Sequence, residues 1–342
     1  MLSALRTLVS PAVFDFWAQH LNKTWAWEQV RARVLAVSPA SDDATTLTLR
    51  PNRNFRGFQP GQHVNVTLPV NGVRHTRSYS LNHAPRTDGT LSITVRREPH
   101  GIVSHALATL KPGDVIELGQ AFGDFRLPQD GQRPLLLLAG GSGITPLMSL
   151  LEARLAQPAS APVALIYSVR EAANACFLSA LDQLAEQHPH FAWQLKISSQ
   201  QGRIQAADIA ATGLGRDSSV FICGAHGFAD SMQRLCHDFA NIQCEAFSAP
   251  NYAQAGDAQV TVTLARSGQQ VSVSNGGVLL QELEALGLSP AYGCRLGICN
   301  TCACSRLEGT TENLRDDLLS HNPGGMVRLC ISRAVTDITL DL

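Results

Sequence analysis

What the chain lacks narrows its function first. It has 342 residues and no apolar run of the length, ~18 residues, that a bilayer-spanning helix needs. It lacks an excess of either charge: 27 Lys and Arg stand against 28 Asp and Glu, a formal net charge of −1. That balance gives no electrostatic reason to expect a nucleic-acid partner. The opening stretch "MLSALRTLVSPAVFDFW" lacks the pattern of a secretory signal, because Arg6 is its only basic residue, Pro11 interrupts the apolar part and Asp15 follows soon after. The expected location is therefore cytoplasmic, with peripheral attachment to a membrane through a partner as an extension of that expectation. Internal repeats are absent. No His-rich or carboxylate-rich cluster suited to oxygen activation is present, so the chain is not expected to hydroxylate a substrate itself. The length leaves room for two or three domains with their own cores.

What the chain does have is concentrated thiol. Four of its nine cysteines fall in "CRLGICNTCAC", residues 294 to 304. In a reducing compartment, clustered cysteines more often bind metal than form disulfides. Cys294, Cys299 and Cys302 follow a C-x4-C-x2-C spacing, and Cys330 stands apart in "GMVRLCIS". Three clustered thiolates and one distant one match the ligand pattern of a 2Fe–2S cluster. Gly293 and Gly297 let such a loop fold closely, so that backbone N–H groups point at the sulfurs. Arg295 is expected to pair with a carboxylate and hold the loop's shape. A structural zinc site is disfavoured, because it normally uses paired C-x2-C knuckles and only one is present. Cys304 points to the same side as Cys302 if both lie on a strand, and it is surplus to the four ligands. Cys176, Cys236 and Cys244 sit in apolar contexts and read as core residues.

The sequence before the cysteine loop, "AQVTVTLARSGQQVSVSNGGVLLQELEALG", gives two strand-like runs around a Ser-Gly turn. A helical pattern follows at Leu279, Leu280, Leu283 and Leu286. Together with the loop, residues 258–342 resemble the β-grasp fold of plant-type ferredoxins.

Residues 28–130 carry "RARVLAVSPAS", "TTLTLRP", "HVNVTLPV" and "LSITVRRE", short strand-like runs separated by turn signals. That density predicts an antiparallel barrel. Within it, "HTRSYSL" resembles the flavin-binding strand of the ferredoxin–NADP reductase superfamily. The resemblance implies that Arg77 holds a flavin phosphate, Ser78 lines the site, Tyr79 packs on the isoalloxazine ring and Ser80 hydrogen-bonds near N5. A cation for phosphate and an aromatic face for a planar ring are sensible chemistry. "HGIVSHAL" follows in the family's order, with Gly101, Val103 and Ser104 expected to meet the pyrophosphate at a helix start. That element favours FAD over FMN. "GDF" at Gly123 to Phe125 fits the family's exit from the barrel.

Residues 134–247 change character. "RPLLLLAGGSGITPLMSLLEARL" reads as a buried strand, a glycine turn and a helix. Gly140, Gly141 and Gly143 allow close backbone approach to a pyrophosphate, and Thr145 with Pro146 opens the helix. Strand and helix signals then alternate, as in a doubly wound α/β domain. The glycine loop resembles the superfamily's own nucleotide loop. The same resemblance places Cys223 and Gly224 of "CGAHGFAD" near the nicotinamide, and returns Glu245 and Phe247 of "CEAFSAP" to the flavin face. Ser80, Cys223 and Glu245 are the expected catalytic residues. Residues 248–257 read as a linker of small and polar residues.

The loops "SVRE" and "SSQQGR" bear on the coenzyme. Arg170, Ser199 and Arg203 suit a 2′-phosphate, and "SSQQGR" contains no acid, which leans to NADPH; Glu171 beside Arg170 keeps NADH as the other candidate. Residues 1–27 form an aromatic-rich N-terminal segment. It either packs across the barrel or presents a docking surface for a membrane-bound partner.

The whole is expected to be an NAD(P)H:acceptor oxidoreductase in which electrons pass through FAD and a 2Fe–2S cluster to a partner oxygenase or membrane desaturase. Its order of domains is similar to that of reductases serving fatty-acyl desaturases. The competing expectation is a redox sensor that holds the same cofactors without sustained turnover.

Overall fold

The computed structural model describes residues 10–99, 101–128, 133–157, 161–247, 258–293, 295, 297, 300–315 and 318–342. The chain divides into two compact units, Met1–Phe247 and Ser248–Leu342. The expected linker, residues 248–257, lies outside the described residues, as do Cys294 and Cys299.

The first unit begins with helix α1 (Pro11–Leu21). Ser10 caps it, its side chain accepting the Val13 N–H at 3.3 Å, with proline at the first helical position where no N–H is needed. One face folds back on the chain that follows. Phe14 meets the Trp27 ring edge-on at 5.1 Å, and an Asp15 carboxylate oxygen accepts the Trp27 N–H at 2.6 Å. Asn52 and Asn54 donate to Thr24, Ala26 and Gln29 carbonyls, tying this segment to the barrel. The opposite stripe, Val13, Phe16, Trp17 and Leu21, is exposed.

The barrel strands are β1 (Val30–Pro39), β2 (Ala44–Pro51), β3 (His63–Val70), β4 (Val73–Ser80), β5 (Leu91–Arg96) and β6 (Val115–Leu118). They form an antiparallel sheet in the order β4-β3-β6-β1-β2-β5. A bridge between Leu81 and Ile93 joins the two edges and closes it. Alternation does the packing: Val30, Ala32 and Val34 of β1 point inward with Val64, Val66 and Leu68 of β3. Helix α2 (Ile102–Ala108) adds Val103 and Leu107 to the same core.

The nucleotide half is a parallel sheet of β7 (Leu135–Gly140), β8 (Val163–Val169), β9 (Phe191–Ile197), β10 (Ser219–Gly224) and β11 (Asn241–Ala246), in the order β11-β10-β7-β8-β9. The run Leu135 to Leu138 is buried on both faces, as a central parallel strand requires. The flanking helices are α3 (Ile144–Leu155), α4 (Leu178–Gln187), α5 (Ser198–Gln201), α6 (Ala206–Ala210) and α7 (His226–Leu235). Strand order reverses between β7 and β10, where a doubly wound sheet places its ligand. Barrel and sheet share a core: Phe125 packs with Leu147, Leu150 and Phe221. Gln243 also exchanges two hydrogen bonds with the Arg126 backbone, at 3.3 and 3.1 Å.

The second unit is a mixed sheet of β12 (Gln259–Leu264), β13 (Gln270–Ser274), β14 (Ala303–Glu308), β17 (Gly325–Arg328) and β19 (Ile338–Leu340), in the order β13-β12-β19-β14-β17. Strands β15 (Thr311–Asn313), β16 (Leu318–Ser320) and β18 (Ser332–Ala334) form a small second sheet. Helix α8 (Leu279–Ala285) buries Leu279, Leu280 and Leu283 against the main core. It stops one residue short of Leu286, which is half exposed, because Gly287 turns the chain with a φ of +80°. The parallel β12–β19 pair inside this mixed sheet, with a helix laid on it, is the expected β-grasp arrangement.

Candidate functional site

Arg77, Ser78, Tyr79 and Ser80 are consecutive on β4, so they alternate between the strand's two faces. Tyr79 is partly buried against the barrel core, and that burial raises its pKa. Ser78 donates to the Asn65 side chain at 2.6 Å. The Arg77 guanidinium is half-buried and donates to the Thr76 carbonyl at 2.7 Å. Ser80 is buried at the strand end, opposite His63 on β3.

Gly101 caps α2. A Cβ there would lie 2.3 Å from the Ser104 hydroxyl, so a side chain at this position would push that hydroxyl aside. Ser104, expected to meet a pyrophosphate, donates its hydroxyl to the Gly101 carbonyl at 3.0 Å and accepts the Glu98 N–H at 3.2 Å, which holds it at the entry to the helix. Val103 is buried in the barrel core.

Across the unit, Gly140 ends β7, Gly141 and Gly143 lie in a tight turn, and Thr145 and Pro146 occupy the first turn of α3. Gly141 has a φ of +55°. At Gly140 a Cβ would press the Phe228 ring at 2.7 Å, and at Gly143 it would sit 2.0 Å from the Cys223 carbonyl. The turn therefore lies against the end of β10, where Cys223 and Gly224 stand. Thr145 donates its hydroxyl to Ser142, holding the turn closed. Cys223 is fully buried, and burial, reinforced by Glu245, raises its thiol well above the ordinary range. Such a thiol stays protonated, which suits packing beside a neutral ring and not nucleophilic chemistry.

Glu245 pairs with Cys223 across β10 and β11, and Phe247 continues from that strand with its N–H on the Gly224 carbonyl at 2.8 Å. The ends of β10 and β11 thus bring Cys223, Gly224, Glu245 and Phe247 together. Sequence reasoning passed over one member of this group. His63 is 3 % exposed, and its Nδ1 lies 3.6 Å from a Glu245 carboxylate oxygen. Neither ring nitrogen hydrogen-bonds another described residue. A histidine opening a strand in "GQHVNV" carries no pattern that separates it from a core residue. Arg170, Ser199 and Arg203 are exposed after the C-terminal ends of β8 and β9, and the Ser199 N–H donates to the Arg170 carbonyl at 3.2 Å.

These residues fit FAD and a nicotinamide coenzyme: a cation and a ring on one strand, glycines where a Cβ would clash, and a buried histidine with unused polar atoms. Arg77 and Tyr79 would hold the flavin, with Gly140, Gly141 and Gly143 beneath the coenzyme's phosphates.

In the second unit Cys302 and Cys330 are buried in one core, together with Cys304. The Gly297 N–H donates to the Cys330 sulfur at 3.1 Å, and Gly297 has a φ of +71°. The Arg328 side chain holds the Gly297 carbonyl at 2.9 Å. Arg295, itself at a φ of +59°, is fixed by two hydrogen bonds to Glu284, at 2.8 and 2.6 Å, and lies over the Tyr292 ring. The expected carboxylate partner is therefore Glu284. A thiolate receiving a backbone N–H in a loop braced by ion pairing suits a 2Fe–2S cluster.

Three family models match in this order. The oxidoreductase FAD-binding domain covers residues 32–127, the oxidoreductase NAD-binding domain residues 137–234, and the 2Fe-2S iron-sulfur cluster binding domain residues 262–335. An NADPH oxidoreductase of Mycobacterium tuberculosis is 32 % identical over 98 % of this chain and 90 % of its own length. The ferredoxin reductase component of a 3-ketosteroid-9-alpha-monooxygenase from the same species is 31 % identical over 91 % of this chain and 90 % of its own. Among solved structures, phthalate dioxygenase reductase shares the fold with a TM-score of 0.64 at 22 % identity, covering 91 % of this chain and 97 % of that one.

Proposed function

Because the chain belongs to the FAD- and NAD-binding oxidoreductases that end in a 2Fe–2S domain, we propose that it draws electrons from NADPH and delivers them singly to an oxygen-activating partner, a membrane fatty-acyl desaturase first. The observation that carries this is the three modules in one chain. When bound, FAD takes two electrons as hydride and passes them on one at a time, which is how a 2Fe–2S cluster accepts them. The protein's own part is placement. Arg77 and Tyr79 would hold the flavin, Cys223 and Gly224 the space for the nicotinamide, and Phe247 a cover over the ring. Covalent fusion keeps the cluster at high effective concentration near the flavin. Steady NADPH-driven reduction of cytochrome c tests this; slow reduction coupled to regulated binding of a partner would mark a sensor.

Exposed cations at Arg170 and Arg203 support the choice of NADPH, with Ser199 between them. An Arg–phosphate contact is worth about tenfold in affinity, so Arg203→Glu should raise the KM for NADPH about 10-fold and leave that for NADH within about 2-fold. Equal changes for both coenzymes would remove Arg203 from the 2′-phosphate site.

The desaturase preference is supported by the exposed stripe of Val13, Phe16, Trp17 and Leu21 on α1. No helix among the described residues is long and apolar enough to cross a membrane, so an aromatic face of this kind would act at a surface. Deleting residues 1–22 should leave cytochrome c reduction within about 2-fold and lower electron delivery to a membrane-bound desaturase by about 5-fold or more. A truncated protein that couples equally well contradicts the role given to this helix.

A further inference from the structure

Helix α1 has two apolar faces, and only one of them is used by the described chain. On the inner face Phe14 packs on Trp27 and Ala18 is buried. On the other, Val13, Phe16, Trp17 and Leu21 are open, Trp17 by 65 % and Leu21 by 82 %. Phe16, Trp17 and His20 gather there ring against ring, with centroids 5.3, 5.2 and 6.1 Å apart. Trp25, just past the helix, is half exposed as well. A water-facing helix surface ordinarily carries polar residues, so a contiguous aromatic patch marks a contact. Beside it opens a cavity of about 460 Å³, lined by Phe14, Thr24, Trp25, Ala26, Asn52 and Arg53.

The margin of this patch is cationic. Lys23 is exposed directly after the helix. The Arg31 guanidinium donates to the Lys23 and Trp25 carbonyls at 3.2 and 3.4 Å, and Arg33 donates to the Asn22 side chain at 3.3 Å. Arg33 also stands opposite Arg50 in the β1–β2 register, and like charges facing across a strand pair repel. Among the described residues, no carboxylate forms an ion pair with Lys23, Arg31, Arg33, Arg50 or Arg53. Asp15 is turned inward onto the Trp27 N–H, which leaves Glu28 as the one exposed carboxylate between residues 10 and 41.

An aromatic centre with unpaired cations around it is the complement of an anionic bilayer, which offers an apolar interior beneath a layer of phosphates. A second copy of the chain fits less well, because it would set these cations against their own kind. We propose that this face binds the surface of an anionic phospholipid bilayer directly, with Phe16, Trp17 and Leu21 at the interface and Lys23, Arg31, Arg33 and Arg53 over the lipid phosphates.

The bilayer would bring the reductase to a membrane-bound acceptor, and in that purpose the proposal rests on the function proposed above. Vesicle binding needs no acceptor, so the two fail separately. In co-sedimentation, the full chain should bind phosphatidylcholine vesicles containing about a quarter phosphatidylglycerol at least ~10-fold more tightly than phosphatidylcholine alone. That preference should vanish in about 1 M salt, where the Debye length falls to ~3 Å. Phe16→Glu combined with Trp17→Glu should weaken binding about 10-fold or more, and Lys23→Glu combined with Arg53→Glu should remove the preference for anionic lipid. These side chains are exposed, so both double variants should keep the wild-type melting temperature. Independently of any variant, brominated lipid should quench the tryptophan fluorescence of the wild type. Absence of binding to the anionic vesicles, absence of quenching, or binding indifferent to both double variants overturns the proposal. So does self-association in solution that Trp17→Glu abolishes, which would make the face a contact between copies. Vesicle binding without electron delivery to a desaturase would leave this proposal standing and remove that acceptor.

Discussion

Cys330→Ser should leave NADPH able to reduce the flavin and cut cytochrome c reduction by about 100-fold or more, because the proposed route to that acceptor runs through the cluster. Cys330 sits in the short turn Leu329–Ile331, buried, with the Gly297 N–H on its sulfur. A serine oxygen is a harder and poorer iron ligand than thiolate. It also draws the chain inward, disturbing a contact for which Gly297 already adopts a backbone that glycine favours. Even if iron is retained, the altered ligand should change the cluster's potential and spectrum. Iron content and visible absorption report the loss directly, and ferricyanide reduction reports the flavin half. A Cys330→Ser protein with full iron and full cytochrome c activity would remove Cys330 from the ligand set.

Gly143→Ala should have the second-largest effect. A single methyl at this position would stand 2.0 Å from the Cys223 carbonyl and 2.6 Å from the Gly224 nitrogen, both backbone atoms that cannot rotate away. The turn must retreat from β10, at the point where the coenzyme is expected. Overpacking of this kind costs about 1–3 kcal/mol, so the melting temperature of the first unit should fall. Reduction of the flavin by NADPH should fall at least ~10-fold, since misplacement by a fraction of an ångström weakens a hydride transfer steeply. Gly141→Ala is the informative contrast: the nearest atom to its Cβ is the Arg96 guanidinium at 3.6 Å, so only its φ of +55° opposes substitution. It should be the milder variant. Normal NADPH reduction by Gly143→Ala would refute the packing account.

These effects show which features a sequence can disclose. Strand alternation and the buried run Leu135 to Leu138 were legible because periodicity reports burial directly. The glycines at 140, 141 and 143 were legible because a glycine-rich turn between a buried strand and a helix is a local pattern. The role of Gly143, however, comes from a strand end about eighty residues further on, Cys223, and no local pattern announces it. Ser104 shows the opposite limit. A hydroxyl at a helix start suits an anion and a loop brace alike, and its hydrogen bonds to Gly101 and Glu98 were not legible in the sequence. His63 was silent for a third reason: its partner Glu245 lies in another domain, so the couple exists only once barrel and sheet are packed. Arg295 falls between these cases. A partner was foreseeable from its charge, while Glu284 became that partner because α8 runs beside the cysteine loop.

The most direct test of the central claim is an anaerobic titration of the purified protein with NADPH, followed by visible absorption and low-temperature EPR. Bleaching of the flavin band together with a rhombic 2Fe–2S signal is the predicted result, and it would establish the path from coenzyme to cluster within one chain. A reduced flavin with no cluster signal, in protein carrying two irons per chain, would contradict it.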